Sequence, residues 1–261
     1  MKQFIVDAFT HQPFHGNPAA ICVMEKWPEE EIMKGIALEN NLSETAFIVK
    51  EGEAYHLRWF TPTCEVGLCG HATLASGYTI LNFYEKEAEA VHFTTLGGEL
   101  TVSKKGNLYE MLFPNIPLSK VKVTEDMIDA LGTIPLEVVQ GQDLDLICVL
   151  QDKDLVLDYV PDAALLSKLP GRMVHITAAG DNDYDCISRC FGPKLGILED
   201  PVCGSAHCQI IPYWAERLGK RTINAWDASS RGGYLQGEII SPSQLILRGE
   251  AILFAESELH L

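Results

Sequence analysis

Apolar residues recur along the chain in short blocks whose spacing alternates between strand-like and helix-like. "FIVDAF" near the start reads as a strand, and "FHGNPAAICVM" opens on a Gly-Asn-Pro turn. The spacing over 29–40 predicts a helix, with Pro28 and the acidic residues behind it marking the start. "TAFIV" and the alternating "YHLRWF" predict two more strands. A loop containing Pro, Gly and Cys then leads into a helix predicted over 70–84. Ala, Leu, Ile, Tyr and Phe stand on almost every side of that helix, so it is expected to be buried nearly all round. "VHFTTLGGELTVSKKGNLYEMLFP" follows as strands joined by glycine turns.

The order then starts again. "LSKVKVTEDMIDALG" offers a linker and a new helix, which places a boundary near Pro117 and divides the chain into 1–116 and 117–249. Strands are predicted around "LDLICVL", "MVHITAAG" and "DYDCISRCF", with a helix near "DAALLSKLP". After a long loop another helix begins at Gly204, and Pro212 inside it is expected to kink it or break its register. "QGEIISPSQLILRGEAILFAES" ends the pattern as strands, the last of which, over about 250–261, is expected to return to the first half.

The two helix entrances are written alike. One copy runs Arg58-Trp59-Phe60-Thr61-Pro62 and then Glu65-Val66-Gly67-Leu68-Cys69-Gly70-His71-Ala72. The other runs Arg189-Cys190-Phe191-Gly192-Pro193 and then Glu199-Asp200-Pro201-Val202-Cys203-Gly204-Ser205-Ala206. Arg-x-Phe-x-Pro, a loop, and Glu-x-x-aliphatic-Cys-Gly-x-Ala extend too far for coincidence, so the chain is read as an internal repeat. A helix without a polar face between strands is best covered by a strongly curved sheet. The expected fold is therefore α+β: two similar halves, each a curved, mostly antiparallel sheet around a central helix, with a cleft between the two entrances.

With 261 residues, 47% of them apolar and 21% charged, the chain has the makeup of a folded protein able to bury a substantial core. A formal net charge of −16 and the lack of a basic stripe argue against nucleic acid as a partner. Met1-Lys2 runs straight into "QFIVDAF" without a signal-peptide core, and no stretch approaches membrane-span length, so a cytoplasmic address is expected. The eight cysteines are then expected to be reduced thiols rather than a disulfide framework.

A helix N-terminus offers unpaired backbone N–H groups and a partial positive charge, so the two entrances suit a small anionic metabolite without any cationic side chain. Gly70 and Gly204 would let a ligand approach the backbone. The same field favours the thiolate, which makes Cys69 and Cys203 candidate bases. Glu44, in "NNLSETAF", stands where a polar turn meets an apolar strand. His71 could donate to substrate or take a proton. Each also has a structural reading: Glu44 as a turn residue, His71 as a hydrogen-bonded core histidine, Asp200 as a turn cap, and Ser205 as an early helix residue.

Taken together, "VDAFT", "FHGNPAAICV", "NNLSETAFI", "EVGLCGHATLASG" and "DPVCGSAH", in that order over nearly the whole chain, resemble the PhzF family. These are phenazine-biosynthesis-like isomerases related in fold to diaminopimelate epimerase. The resemblance implies cofactor-free isomerisation by proton transfer at carbon, and a homodimer. It implies Glu44 as the acid/base, His71, Asp200 and Ser205 as the other polar catalytic positions, and Asn17, Gly70 and Gly204 as substrate contacts. Cys203 departs from the threonine usual in that motif. Cysteine is what the related two-base epimerases carry there, which keeps open a racemase working through Cys69 and Cys203. A third reading is a noncatalytic ligand-binding or metal-binding protein built on Cys64, Cys69, His71, Cys203, His207 and Cys208. Their spacings follow no familiar zinc pattern, so no metal is expected.

Overall fold

The computed structural model describes residues 1–141 and 145–261, which form a mixed α+β protein with many strands and few helices. Its contacts divide it into two compact units, Met1–Leu112 with Arg248–Leu261, and Phe113–Leu247.

The first unit opens with β1 (Lys2–Ala8) and β2 (Asn17–Met24), paired antiparallel. Asn17 and Pro18 thus begin a strand instead of making the expected turn. The turn lies just before them, at Gly16, whose φ of +66° and 2.1 Å approach of an added Cβ to the Ala8 carbonyl oxygen leave room only for glycine. Next come α1 (Glu30–Asn40), β3 (Glu44–Glu51), β4 (Ala54–Phe60) and the short β5 (Glu65–Val66). After α2 (Gly70–Thr79) the hairpin strands β6 (Ala90–Thr95), β7 (Gly98–Lys105) and β8 (Leu108–Pro114) follow. β2 and β3 run parallel, β3 and β4 antiparallel, β4 and β6 parallel, and β6, β7 and β8 antiparallel, while β5 folds back on β4. The C-terminal strand Ala251–Glu258 pairs antiparallel with β1.

α2 buries eight of its ten residues and packs on β1, β2, β3, β7 and the C-terminal strand. Its hydroxyls survive this burial because each returns to the helix. Thr73 donates to the Cys69 carbonyl, Ser76 to that of Ala72 at 2.6 Å, and Thr79 to that of Ala75 at 2.9 Å. The helix predicted to reach residue 84 changes character at Ile80. Ile80–Tyr84 is a π-helical turn closed by the Glu85 N–H on the Ile80 carbonyl at 2.8 Å.

The second unit contains β9 (Ser119–Val121), α3 (Glu125–Leu131), β10 (Glu137–Gln140), β11 (Leu146–Val149), α4 (Lys153–Leu157) and α5 (Ala163–Leu166). The strand expected around "LDLICVL" is seen as β11; Leu144 at its start lies outside the described residues. Then come β12 (Val174–Ala179), β13 (Cys186–Gly192), β14 (Ile197–Asp200), α6 (Gly204–Leu218), β15 (Thr222–Asp227), β16 (Gly233–Ser241), β17 (Gln244–Gly249) and, in the first unit, β18 (Ala251–Glu258). β11 and β12 are parallel, β12 and β13 antiparallel, β13 and β15 parallel, and β15 and β16 antiparallel, with β14 folded back on β13. This is the same succession of pairings that β2 to β7 make. α6 runs through Pro212 from Gly204 to Leu218 and buries ten of fifteen residues, leaving its last turn at the surface. The expectation of a helix without a polar face therefore holds for α2 and not for the end of α6.

Candidate active site

Both repeated entrances are built by one device. Arg58 on β4 forks onto Glu65 of β5, with Nε and one terminal nitrogen each 2.7 Å from a carboxylate oxygen. Arg189 on β13 forks onto Glu199 of β14 at 2.7 and 3.0 Å. A bidentate guanidinium pair fixes position as well as charge, so it holds the returning strand at a set distance from the helix it feeds. In the first unit Thr61 tightens the intervening turn: its N–H donates to the Cys64 carbonyl at 2.8 Å and its hydroxyl oxygen accepts the Cys64 N–H at 3.0 Å. In the second, Ser229 donates to the Pro201 carbonyl at 2.6 Å. Cys69 and Cys203 are the N-cap residues of α2 and α6, both extended. Each cap carbonyl also accepts a side chain four residues on, from Thr73 in one case and from His207 Nδ1 at 2.7 Å in the other.

Glu44 reaches the first entrance because α1 stops where it does. Asn41 takes the left-handed conformation (φ 49°) that ends the helix, its N–H on the Ala37 carbonyl at 3.2 Å. The Asn40 amide donates to Gln3 at 3.0 Å and Thr45 at 3.1 Å, which ties the start of β3 to β1. Glu44 then opens β3 opposite Ala19 of the parallel β2, and Asn17, fully buried, opens that same β2. One Glu44 oxygen, Oε2, lies 3.2 Å from His71 Nε2, and Cys69 Sγ lies 3.6 Å from His71 Nδ1. Burial pushes the His71 imidazole down to about 3, so the ring is neutral across the physiological range.

At the second entrance Ser205 Oγ lies 3.4 Å from Cys203 Sγ, and Gly204 is the first helical residue. Asp200 ends β14, and its charge acts on both Cys203 and Asp227. The Cys203 thiol does not meet the expectation of a lowered pKa. The hydrogen bond with Cys190 pulls it down, but burial and the Asp200 carboxylate prevail and raise it. Asp227, which sequence reasoning missed, accepts the Cys203 N–H on Oδ2 at 3.3 Å and is fully buried. Nothing in "NAWDASS" marks it, because its position depends on β15 lying beside β13.

The six proposed metal donors do not assemble. His207 is engaged at both nitrogens, by Ser188 at 3.0 Å and the Cys203 carbonyl, and Cys64 is exposed and bonded within its own turn. Among the described residues, the donors close enough to share an ion are Glu44, Cys69 and His71, with one ligand atom of each within 4.8 Å of the others. Sulfur and carboxylate nevertheless face different nitrogens of the one ring. A carboxyl beside an open helix N-terminus can take a proton from a bound anion.

Residues 6–257 match the family model described as phenazine biosynthesis-like protein, PhzC-PhzF. An uncharacterized isomerase of Pseudomonas aeruginosa is 43% identical over 260 residues, covering 98% of this chain and 97% of its own. A crystal structure of a PhzF-family protein from Enterococcus faecalis superposes with a TM-score of 0.96 at 48% identity, over 100% of this chain and 99% of that one. A hydroxyproline epimerase from Agrobacterium vitis shares the fold at a TM-score of 0.60 and 10% identity, over 98% of this chain and 91% of that one.

Proposed function

Because the chain belongs to the PhzC-PhzF family of phenazine biosynthesis-like proteins and is an isomerase, we propose that it moves a proton at carbon on a small carboxylate-bearing metabolite, with Glu44 as acid and base and no cofactor. The observation that carries this reading is the Glu44–His71 contact of 3.2 Å at the start of α2, between a largely buried carboxyl and a buried neutral imidazole. Neutral His71 stands beside the carboxyl without fixing it as an ion pair, and its Nε2 has no hydrogen-bond partner among the described residues. The backbone N–H groups at Gly70 carry no charge of their own to neutralise the base, yet they attract an anionic substrate. Asn17, Gly70 and Gly204 are proposed as substrate contacts, and Asp200 and Ser205 as the polar groups that orient the reacting carbon. The proposed assembly is a homodimer in the cytoplasm, each half of the chain an epimerase-like unit built on its buried helix. Among the described residues no helix is long and apolar enough to cross a membrane.

A substrate for such a site must carry an acidified C–H, next to a carboxylate, carbonyl or conjugated system. The test begins with native mass spectrometry of the purified protein to identify a retained anion. NMR then follows isomerisation and uptake of solvent deuterium into that compound. Glu44→Gln keeps the size and one acceptor oxygen but cannot return a proton. It should reduce both rates by about a hundred- to ten-thousand-fold with little change in affinity. Deuterium uptake that continues unchanged in Glu44→Gln would reject the glutamate as base. One observation favours the two-thiol racemase as a second reading: Cys69 and Cys203 both occupy N-cap positions. Loss of exchange in Cys203→Ser, with Glu44→Gln active, would favour it.

A further inference from the structure

The two units share a pairing scheme but close it differently. β10 stands against β11 as β1 stands against β2, and β9 lies outside β10 as β18 lies outside β1. β1 and β18 run seven and eight residues, whereas β10 and β9 run four and three. Five residues fewer in the outermost strand remove about 16 Å of cover, at about 3.3 Å per residue. The helix to be covered is meanwhile longer, fifteen residues in α6 against ten in α2. The C-terminal half of α6 is left beside an open groove of about 1030 Å³, and Ile116, Leu118, Val139, Pro212, Ile239 and Ile240 give it an apolar lining.

Charge decides what can fill the groove. Lys120 and Arg217 both face Glu137, at 2.5 Å from Oε1 and 3.3 Å from Oε2, and the Tyr213 hydroxyl donates to Oε2 at 3.0 Å. Lys220 is paired with Asp185, while Arg221 Nε lies 3.7 Å from Glu238 and donates to the Ile239 carbonyl at 2.9 Å. With Glu216, which also lines the groove, these four cations meet four acids, so the groove is neutral in a chain of net charge −16. An anionic ligand or a polyanion would find the cations already engaged. Two copies of so acidic a chain repel over most of their surface, and that repulsion is least at a neutral apolar groove. The neighbouring loop supplies a shape to fill it. Ile134 and Leu136, 62% and 58% exposed, flank a buried Pro135 and run directly into Glu137, which lines the groove. The Leu136 N–H donates to the Val149 carbonyl at 2.8 Å and the Gln151 amide donates to the Ile134 carbonyl, so this apolar ridge is held in place.

We propose that the groove and the Ile134–Leu136 ridge are the surface on which two copies of the chain meet about a twofold axis, each ridge seated in the other copy's groove. A twofold contact uses one patch on both copies and so requires it to carry both a projection and the hollow that receives it. Here Glu137 joins the two, ending the ridge and lining the groove. The inference rests on the homodimer of the proposed function, to which it assigns a surface, and is independent of the base at Glu44. Covering the apolar lining and the two ridge side chains drives the association. Because the rim charges are matched within each copy, salt screens the net repulsion between copies without breaking bonds across the contact, and the dimer tightens as salt rises.

Sedimentation velocity of the full chain over a dilution series tests this without substrate, so failure of the surface and failure of the isomerase reading are distinguishable. Wild type should form a dimer whose dissociation constant falls from low to high sodium chloride. Leu136→Asp and Ile240→Asp each place an unpaired carboxylate in the contact, at positions that are 58% and 37% exposed in the single copy. Each should weaken the dimer about thirtyfold or more while keeping the wild-type circular dichroism. Val160→Asp adds the same charge outside the groove, at a position 84% exposed, and should leave the dimer unchanged. A monomeric wild type would overturn the surface and the homodimer together. A dimer that survives both the ridge and the groove variant, that dissociates as salt rises, or that Val160→Asp weakens equally, would overturn the surface alone.

Discussion

Asp227 gives the sharpest energetic test of the second entrance. Its side chain is fully buried, Oδ2 accepts the Cys203 N–H at 3.3 Å, and among the described residues Oδ1 has no hydrogen-bond partner. Burial and then the nearby Asp200 carboxylate raise its pKa well above the ordinary carboxylate value, with a smaller push from Glu199; the Cys203 and Ser229 amides pull the other way without prevailing. A carboxyl whose folded pKa is raised contributes its full stability below the unfolded pKa, about 3.9, and loses it as pH climbs toward the folded pKa. Wild type therefore pays about 1.4 kcal/mol for each pH unit across that window, against a total stability of about 5–15 kcal/mol. Asp227→Asn abolishes the titration while keeping the shape and an acceptor for Cys203. Its amide N–H₂ meets the side where Oδ1 lacks a partner, a cost of about 1–3 kcal/mol that does not vary with pH. The diagnostic is therefore the slope. Urea unfolding followed by tryptophan fluorescence, at several values from about pH 4 upward, should show the variant gaining on wild type by about 1.4 kcal/mol per pH unit, then levelling once Asp227 ionises in the folded protein. A difference between the two proteins that stays flat with pH, or shrinks as pH rises, would refute a protonated Asp227.

Two further outcomes follow from the packing around the helices. Cys203→Thr places a hydroxyl at the N-cap of α6, next to Ser205, and should keep isomerase activity within a few-fold while raising stability by about 1 kcal/mol, read as kcat/KM and Tm. Activity lost in a folded Cys203→Thr protein would instead assign the thiol to the chemistry. Gly77→Ala puts a Cβ 2.4 Å from Val102 of β7, against a helix buried nearly all round, and should destabilise the protein by about 1–3 kcal/mol in urea titration; an unchanged midpoint would show that β7 yields at no cost.

Much of the helical content was legible because it depends on local spacing. The apolar period and Pro28 placed a helix over 29–40, and α1 spans Glu30–Asn40. The all-round apolar character of the segment after Gly70 announced a buried helix, and α2 is one. What the period could not carry was how that helix satisfies Thr73, Ser76 and Thr79, or where its hydrogen bonds slip to the π register at Ile80. α4, β5, β9, β10, β14 and β15 were not anticipated. β5 and β14 are too short to show a period, and each owes its place to an arginine on the preceding strand.

The repeated letters Arg and Glu illustrate the limit of one-dimensional reading. In the sequence they are repeated bookends of a loop, separated by seven residues in one copy and ten in the other. Only the folded chain shows that the interval is irrelevant: the fork from Arg58 to Glu65 and the fork from Arg189 to Glu199 deliver the following cysteine to the same N-cap position whatever the loop between them contains. The same reasoning applies to the candidate chemistry. Glu44, Cys69 and His71 could each be nominated by residue type, but only the folded chain brings them side by side. That is decided by the left-handed turn at Asn41, which aims Glu44, and by the fork at Arg58, which fixes the start of α2. A change at either support, far from any substrate contact, would therefore misalign the carboxyl and the imidazole, and for acid/base chemistry a displacement of about 1 Å is enough to cost about a hundredfold in rate.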